Sequence, residues 1–260
     1  MLTLTTAPLW LSALVWLVPT TIIAAAGPIV VRRYVSLDRL RTNNEVAGFK
    51  FATVGVLYAV LLAFAVVVVW ERFNKADSDV GKEASSAATV YRLTRGIDAD
   101  HAAAVRKAMT DYLSVAIAKD WPAMEQGKGD PAVTEALTDI YGAVLKFHTY
   151  QGSEALVIAD ILRQVDLVSE ARRERLVTAD GIVPGVIWAV LLGGAVVTVG
   201  FTFFFGAENL RAQAAMTAAL SLMIFSGLLI IVAIDRPFTG TVKVTPEALA
   251  IVKADFSTQR

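Results

Sequence analysis

The sequence predicts an all-α membrane protein, with four transmembrane helices and a helical soluble insert between spans two and three. Three observations carry that class. The 260-residue chain is 55% hydrophobic and only 18% charged, against roughly 25% charged in ordinary soluble domains. Its mean hydropathy is +0.56. Four stretches, Pro8–Val31, Phe51–Trp70, Ile182–Phe205 and Ala214–Ile234, contain no Asp, Glu, Lys or Arg. A hydrocarbon core about 30 Å thick is crossed by roughly 20 apolar helical residues, and each stretch reaches that length. Helices are required because lipid offers no partner for an exposed N–H or C=O.

Span one contains Pro19 and Pro28, which are expected to kink or shorten it. The preceding MLTLTTA has no Lys or Arg, so the positive region of a signal peptide is missing and the span reads as retained, despite Ala24-Ala25-Ala26. A short basic loop with Arg32, Arg33, Arg39, Arg41 and Lys50 leads to span two. Trp10, Trp70 and Trp188 lie near the ends of apolar runs, as an interfacial belt would place them.

The chain divides into a first transmembrane pair (1–72), the insert (73–180), a second pair (181–235) and a tail (236–260). Span two continues into the insert without a strong breaker until Gly96, a suitable residue to follow a helix end. Asp98 is placed to cap a second helix running to about Asp120. Asp130-Pro131 is a cap followed by proline in the first turn, starting a third helix that ends near Gly152. Ser153 starts a fourth, with Ile158, Leu162, Val165 and Val168 at helical spacing before the charged run EARRERL. GKGDP at 127–131 is a turn, and TVKVT in the tail is a short extended piece. Helices continuous with spans two and three, each of about 25 residues, would run roughly 35 Å past the membrane. No period-two strand and no internal repeat is present.

Net charge is zero, from 24 basic and 24 acidic residues. A nucleic-acid binder needs excess basic charge, so the balance argues against that class. With no cysteine, disulfides, thiolate metal sites and thiol nucleophiles are excluded. No catalytic constellation, cofactor or metal site is indicated. His101 and His148 lack ligand-type neighbours, and Asp98/Asp100 and Asp77/Asp79 read as helix-surface charge. Glu71, Glu208 and Asp235 sit at span ends. A self-contained proton relay needs an ionisable residue in mid-membrane, and none is present.

Span two carries two contrasting rows. Gly55, Ala59 and Ala63 are small residues four apart, which let backbones approach closely in lipid. Gly194/Thr198 and Ala215/Ala219 do the same in spans three and four. The other row, Tyr58, Leu62, Ala65 and Val69, is the candidate pore lining, since apolar constrictions gate ions by dewetting. Lys50 and Arg72 bracket the span, about 33 Å apart at 1.5 Å per residue. In a ring of subunits they would form positive mouths favouring anions. Interfacial snorkelling is the plainer reading of both.

The segments NNEVAGFKFATVGVLYAVLLAFAVVVVWERF, GKEASSAATVYRL, ARRERL, PGVIWAVLLGGAVVTVGFTFFFG and DRPFTG resemble, in that order, the bestrophin-like family of bacterial and plant membrane proteins. The resemblance covers roughly Asn44 to Ala248. The family is remotely similar to bestrophins, pentameric anion channels with four spans, a hydrophobic neck on span two and a helical cytosolic region between spans two and three. Arg236-Pro237-Phe238-Thr239-Gly240, after Asp235, is similar to their Asn-Pro-Phe-Gly segment. Read alone, Asp235 to Gly240 is a turn. No acidic run follows it, so a calcium clasp is not implied, and the neck aromatics are not matched.

The resulting expectation is an oligomeric, anion-selective channel whose partners are lipid, further copies of the chain (a pentamer by resemblance) and small inorganic ions. It would sit in a cell membrane, the inner membrane of a bacterium, with insert and termini cytoplasmic by resemblance. Basic residues near span ends do not fix the side: six lie on the short-loop side and ten, more dispersed, on the other. Two alternatives stay open. One is an anchored scaffold or sensor whose insert binds another protein. The other is a stator-type proton-channel subunit, which would need an acidic single-span partner. An enzyme is not expected.

Overall fold

The computed structural model describes residues 9–146 and 153–258. Its regular elements are helices. In order they are α1 (Leu9–Tyr34), α2 (Leu37–Arg41), α3 (Asn44–Leu93), α4 (Ala99–Val115), α5 (Trp121–Met124), α6 (Pro131–Leu145), α7 (Ser153–Ala179), α8 (Gly185–Thr202), α9 (Leu210–Ile234) and α10 (Glu247–Thr258). A short 3-10 turn follows α3, and a π turn, Ala116–Asp120, joins α4 to α5. Four helices are long and apolar enough to cross a membrane: α1, the first part of α3, α8 and α9.

The chain forms two compact units. The first is Met1–Glu71 with Ile182–Asp235 and Gly240–Val242. The second is Arg72–Gly181 with Arg236–Thr239 and Lys243–Arg260. The 50-residue α3 contributes to both. The tail therefore belongs largely to the insert rather than standing apart.

In the first unit α1 remains one helix through Pro19 and Pro28. Trp10 and Trp70 are exposed, but Trp188 is buried within the unit, so it does not stand in an interfacial belt. Span three is not continuous with the helix before it. Gly181 adopts φ 100°, a left-handed conformation open mainly to glycine, and Pro184 is the N-cap of α8. The expected second long stalk is thus two helices with a turn between.

In the second unit the caps follow the sequence. The Asp98 carboxylate accepts from the His101 N–H, and that of Asp130 from Ala132 N–H, with Pro131 in the first turn. The third insert helix ends at Leu145, and its expected continuation towards Gly152 lies outside the described residues, as does His148. The core joins Met109, Tyr112 and Leu113 of α4, Val133, Leu137 and Ile140 of α6, and Ile158, Ile161 and Val165 of α7. Phe238, Val244, Leu249 and Phe256 complete it from the tail. Burying one such side chain contributes about 1.5–3 kcal/mol. The helix α10 was not foreseen. It docks through Phe256, which stacks on Tyr91 at 4.0 Å and accepts the Tyr91 hydroxyl on its carbonyl.

Candidate functional site

The face that span two buries is set by two glycines on its neighbours. Tyr58 is 5% exposed, and its hydroxyl donates to the Leu191 carbonyl at 3.1 Å. Its ring lies over Gly194 of α8, where a Cβ would come within 2.5 Å of it. Leu62 lies over Gly227 of α9, where a Cβ would meet it at 2.9 Å. Val69 is wholly buried. Ala65 is half-buried on the same side.

Within the single chain the two rows are packed differently from the sequence expectation. Tyr58 and Val69 are buried. Leu62 and Ala65 lie at the margin of that packed face. Gly55, Ala59 and Ala63, expected to pack against neighbouring helices, have an open side within the chain. Ala59 and Ala63 are exposed, and a Cβ on Gly55 would meet nothing within 4 Å. The outward face also presents Val56, Val60 and Phe64, at 64%, 47% and 67% exposure. Their spacing of four residues aligns them on one side of the helix. An apolar groove of about 340 Å³ runs beside them, between Leu61, Phe64 and Val68 of α3 and Val186 and Val190 of α8. Lys50 and Arg72 are both exposed.

One end of the first unit is held by its loops. Asn44 donates to the Gly206 carbonyl at 3.1 Å and accepts from the Gly206 N–H at 2.9 Å. Arg32 donates to the Ala207 carbonyl at 2.7 Å, and Arg41 pairs with Glu208. At the other end Asp235 Oδ1 accepts from the N–H groups of Ile182 and Val183, at 3.1 and 2.8 Å. Asp235 therefore fastens the turn that leads into α8.

The second unit holds a buried charge network that the sequence did not reveal. Arg175 is wholly buried and forks onto Glu83 at 2.9 and 3.1 Å. It also reaches Asp120 at 3.2 Å and lies 4.5 Å from the Trp121 ring centre. Arg172 grips Asp120 through two nitrogens at 2.8 and 3.2 Å. Tyr112 donates to Glu83 at 2.6 Å. Burial opposes the charge on Arg175, but Glu83, Tyr112 and Asp120 outweigh it and hold its pKa above the ordinary value. Burial, followed by the charge of Glu83, pushes the Tyr112 phenol well above its usual range. Asp79, read as surface charge, is 1% exposed and paired with Lys75 and Lys82 at 2.9 and 3.0 Å. His101 is also fully buried, with Nε2 3.0 Å from the Ala143 and Val144 carbonyls. Among the described residues no group of three His, Cys, Asp or Glu could hold a metal ion.

A sequence-family model described as Bestrophin-like domain matches residues 18–249. The chain belongs to the bestrophin-like family. A leucine-to-threonine variant of a bacterial bestrophin homologue from Klebsiella pneumoniae superposes with a TM-score of 0.73 at 14% identity, covering 95% of this chain and 98% of that one. A further crystal structure of that bacterial homologue gives 0.70 at 14% identity, covering 92% and 96%. A protein described only as a membrane protein, in a glycine-to-alanine variant, gives 0.74 at 15% identity, covering 93% and 97%. At these identities the likeness is one of fold. A search of curated proteins gave no match.

In this bestrophin-like chain the segment after span four is a buried anchor as well as a turn. Pro237 accepts from Val244 N–H at 2.7 Å, and Gly240 adopts φ 81°. Phe238 is wholly buried and meets Trp121 edge-on at 6.2 Å, while the Trp121 indole donates to the Val244 carbonyl at 3.2 Å. Arg236 is half-buried.

Proposed function

We propose that this bestrophin-like protein is a homo-oligomeric membrane ion channel, with an anion-selective path lined by the outward face of span two. The observation that carries the reading is the Val56, Val60 and Phe64 row. It lies on the open side of a helix whose opposite side is locked by Tyr58 and Leu62. Copies arranged around this face would produce a constriction of apolar rings, which passes ions when wetted and closes when dry. The pore lining is therefore moved from Tyr58 and Val69 to the outward row. Gly55, Ala59 and Ala63, beside that row, suit close contact with a neighbouring copy. Lys50 and Arg72, near the two ends of the span, would supply the positive mouths. Family membership supports the channel class, and a pentamer in a cell membrane is its natural form.

The test is flux from liposomes holding the purified chain alone, followed by reversal potentials in a chloride gradient. Conduction without a partner, shifting with chloride, is expected. A Val60→Asp substitution should change conductance, while Tyr58→Phe should leave it intact. Absence of flux from a verified oligomer would favour the anchored scaffold, and a cation-following potential would remove anion selectivity.

A further inference from the structure

Spans one, three and four meet along a seam of uncharged polar side chains inside the first unit. On α9, Gln213, Thr217 and Ser221 recur every fourth residue and are 3%, 3% and 0% exposed. They cover two turns of one face, about 12 Å. Thr198 and Thr202 of α8 are 2% and 8% exposed. Gln213 Nε2 donates to the Thr202 and Phe205 carbonyls at 3.3 and 2.6 Å. The Thr202 and Thr217 hydroxyls are 3.3 Å apart, and Ser221 donates to the Thr20 carbonyl of α1 at 3.3 Å.

Counting protons along this seam leaves both donors and an acceptor unspent. Thr202 directs its single hydroxyl proton to the Val199 carbonyl at 2.6 Å, with the Thr217 oxygen 3.3 Å away. Ser221 has spent its proton on Thr20, and Thr20 its own on the carbonyls of Trp16 and Leu17. Both Gln213 amide protons are committed. Gln213 Oε1 is buried without a partner, and so is the Thr198 hydroxyl, which keeps its proton unspent one turn from Thr202. The Trp16 indole N–H is also buried and unpartnered. Its ring meets Phe225 edge-on, one turn past Ser221. Unspent donors thus lie at Thr198 and Trp16 and an unspent acceptor at Gln213, which stands 12 residues or about 18 Å from Phe225 along α9.

No hydrogen bond joins these groups, and orphaned polar atoms are unfavourable in an apolar bundle. The chemistry calls for a small molecule that donates and accepts in turn. The seam has no ionisable side chain to hold a charged ligand. We propose that spans one, three and four hold ordered water along this seam. It bridges the Gln213 carboxamide oxygen to the Thr198 and Thr217 hydroxyls within each protomer. This is independent of the path assigned to span two.

Water-edited solid-state NMR on the full chain in lipid bilayers tests it. Magnetisation should pass from water to Thr198, Thr202 and Thr217 as readily as to exposed Thr138 of the insert, and far faster than to buried Leu228. Transfer to the seam as slow as to Leu228 would overturn the proposal. The Thr198→Val variant keeps the side-chain shape and removes the hydroxyl. A hydroxyl held by water makes the variant melt lower and slows transfer to Thr202. A dry, unpaired hydroxyl makes it melt higher, which would also refute the idea. If the variant does not fold, the measurement on the unmodified chain still decides.

Discussion

Replacing Arg175 by Met should open the second unit without touching the spans. Arg175 is wholly buried and makes three charged contacts of 2.9–3.2 Å, two with Glu83 and one with Asp120. Methionine fills much of the space but leaves Glu83 inside with only the Tyr112 hydroxyl, whereas Asp120 keeps Arg172. Removing one partner of a buried pair costs about 3–5 kcal/mol. With each 1.36 kcal/mol a factor of ten, protected amides of α4 and α7 should exchange roughly 10²- to 10⁴-fold faster. Hydrogen exchange resolved by peptide measures this, with α8 and α9 as the internal control. The double change Glu83→Leu with Arg175→Met removes both charges and should recover most of the protection, because apolar replacements of buried pairs are often neutral. Exchange accelerated less than about tenfold in the single variant, or no recovery in the double one, would refute the claim that uncompensated charge dominates here.

Three further outcomes are expected. Asn44→Ala loses both bonds to Gly206 and should lower stability by about 1–3 kcal/mol, whereas Asn44→Asp keeps an acceptor and should lose less, read as melting temperatures in detergent. Gly194→Ala drives a methyl into the Tyr58 ring and should cost about 1–3 kcal/mol, while Gly55→Leu should spare the fold and shift only the oligomer distribution on native mass spectrometry. Burial, followed by the hydrogen bond to Asp166, pushes the Tyr141 pKa to about 12. Because the folded value is raised, the Tyr141 contribution is whole below pH 10 and lost between 10 and about 12. The stability difference from Tyr141→Phe should therefore be flat below pH 10 and shrink above it.

The four spans were legible because exclusion of charge from hydrocarbon marks the sequence directly. The caps at Asp98 and Asp130 were legible because they are local. The face that span two buries was not. A helix that is apolar all round has no polar side to betray its orientation, so nothing in the sequence marks Tyr58 as buried or Gly55 as open within the chain. What orients the helix is the absence of side chains at Gly194 and Gly227, more than 130 residues away. The network of Glu83, Asp120 and Arg175 was hidden for a related reason. Each residue sits in a run that reads as solvated surface, and only the fold brings partners 92 positions apart into contact. The sequence resemblance flagged ARRERL and DRPFTG, and the structure gives both a physical role through Arg172, Arg175 and Phe238.

Phe256 follows all four spans in sequence yet belongs to the same core as Val80 and Tyr112. During synthesis the insert emerges long before that residue, with the last two crossings still to be made. Its hydrophobic interior therefore stays incomplete until both crossings and the segment after them have been synthesised. A deletion that removes α10 disturbs the closing step of maturation, not a dispensable appendage.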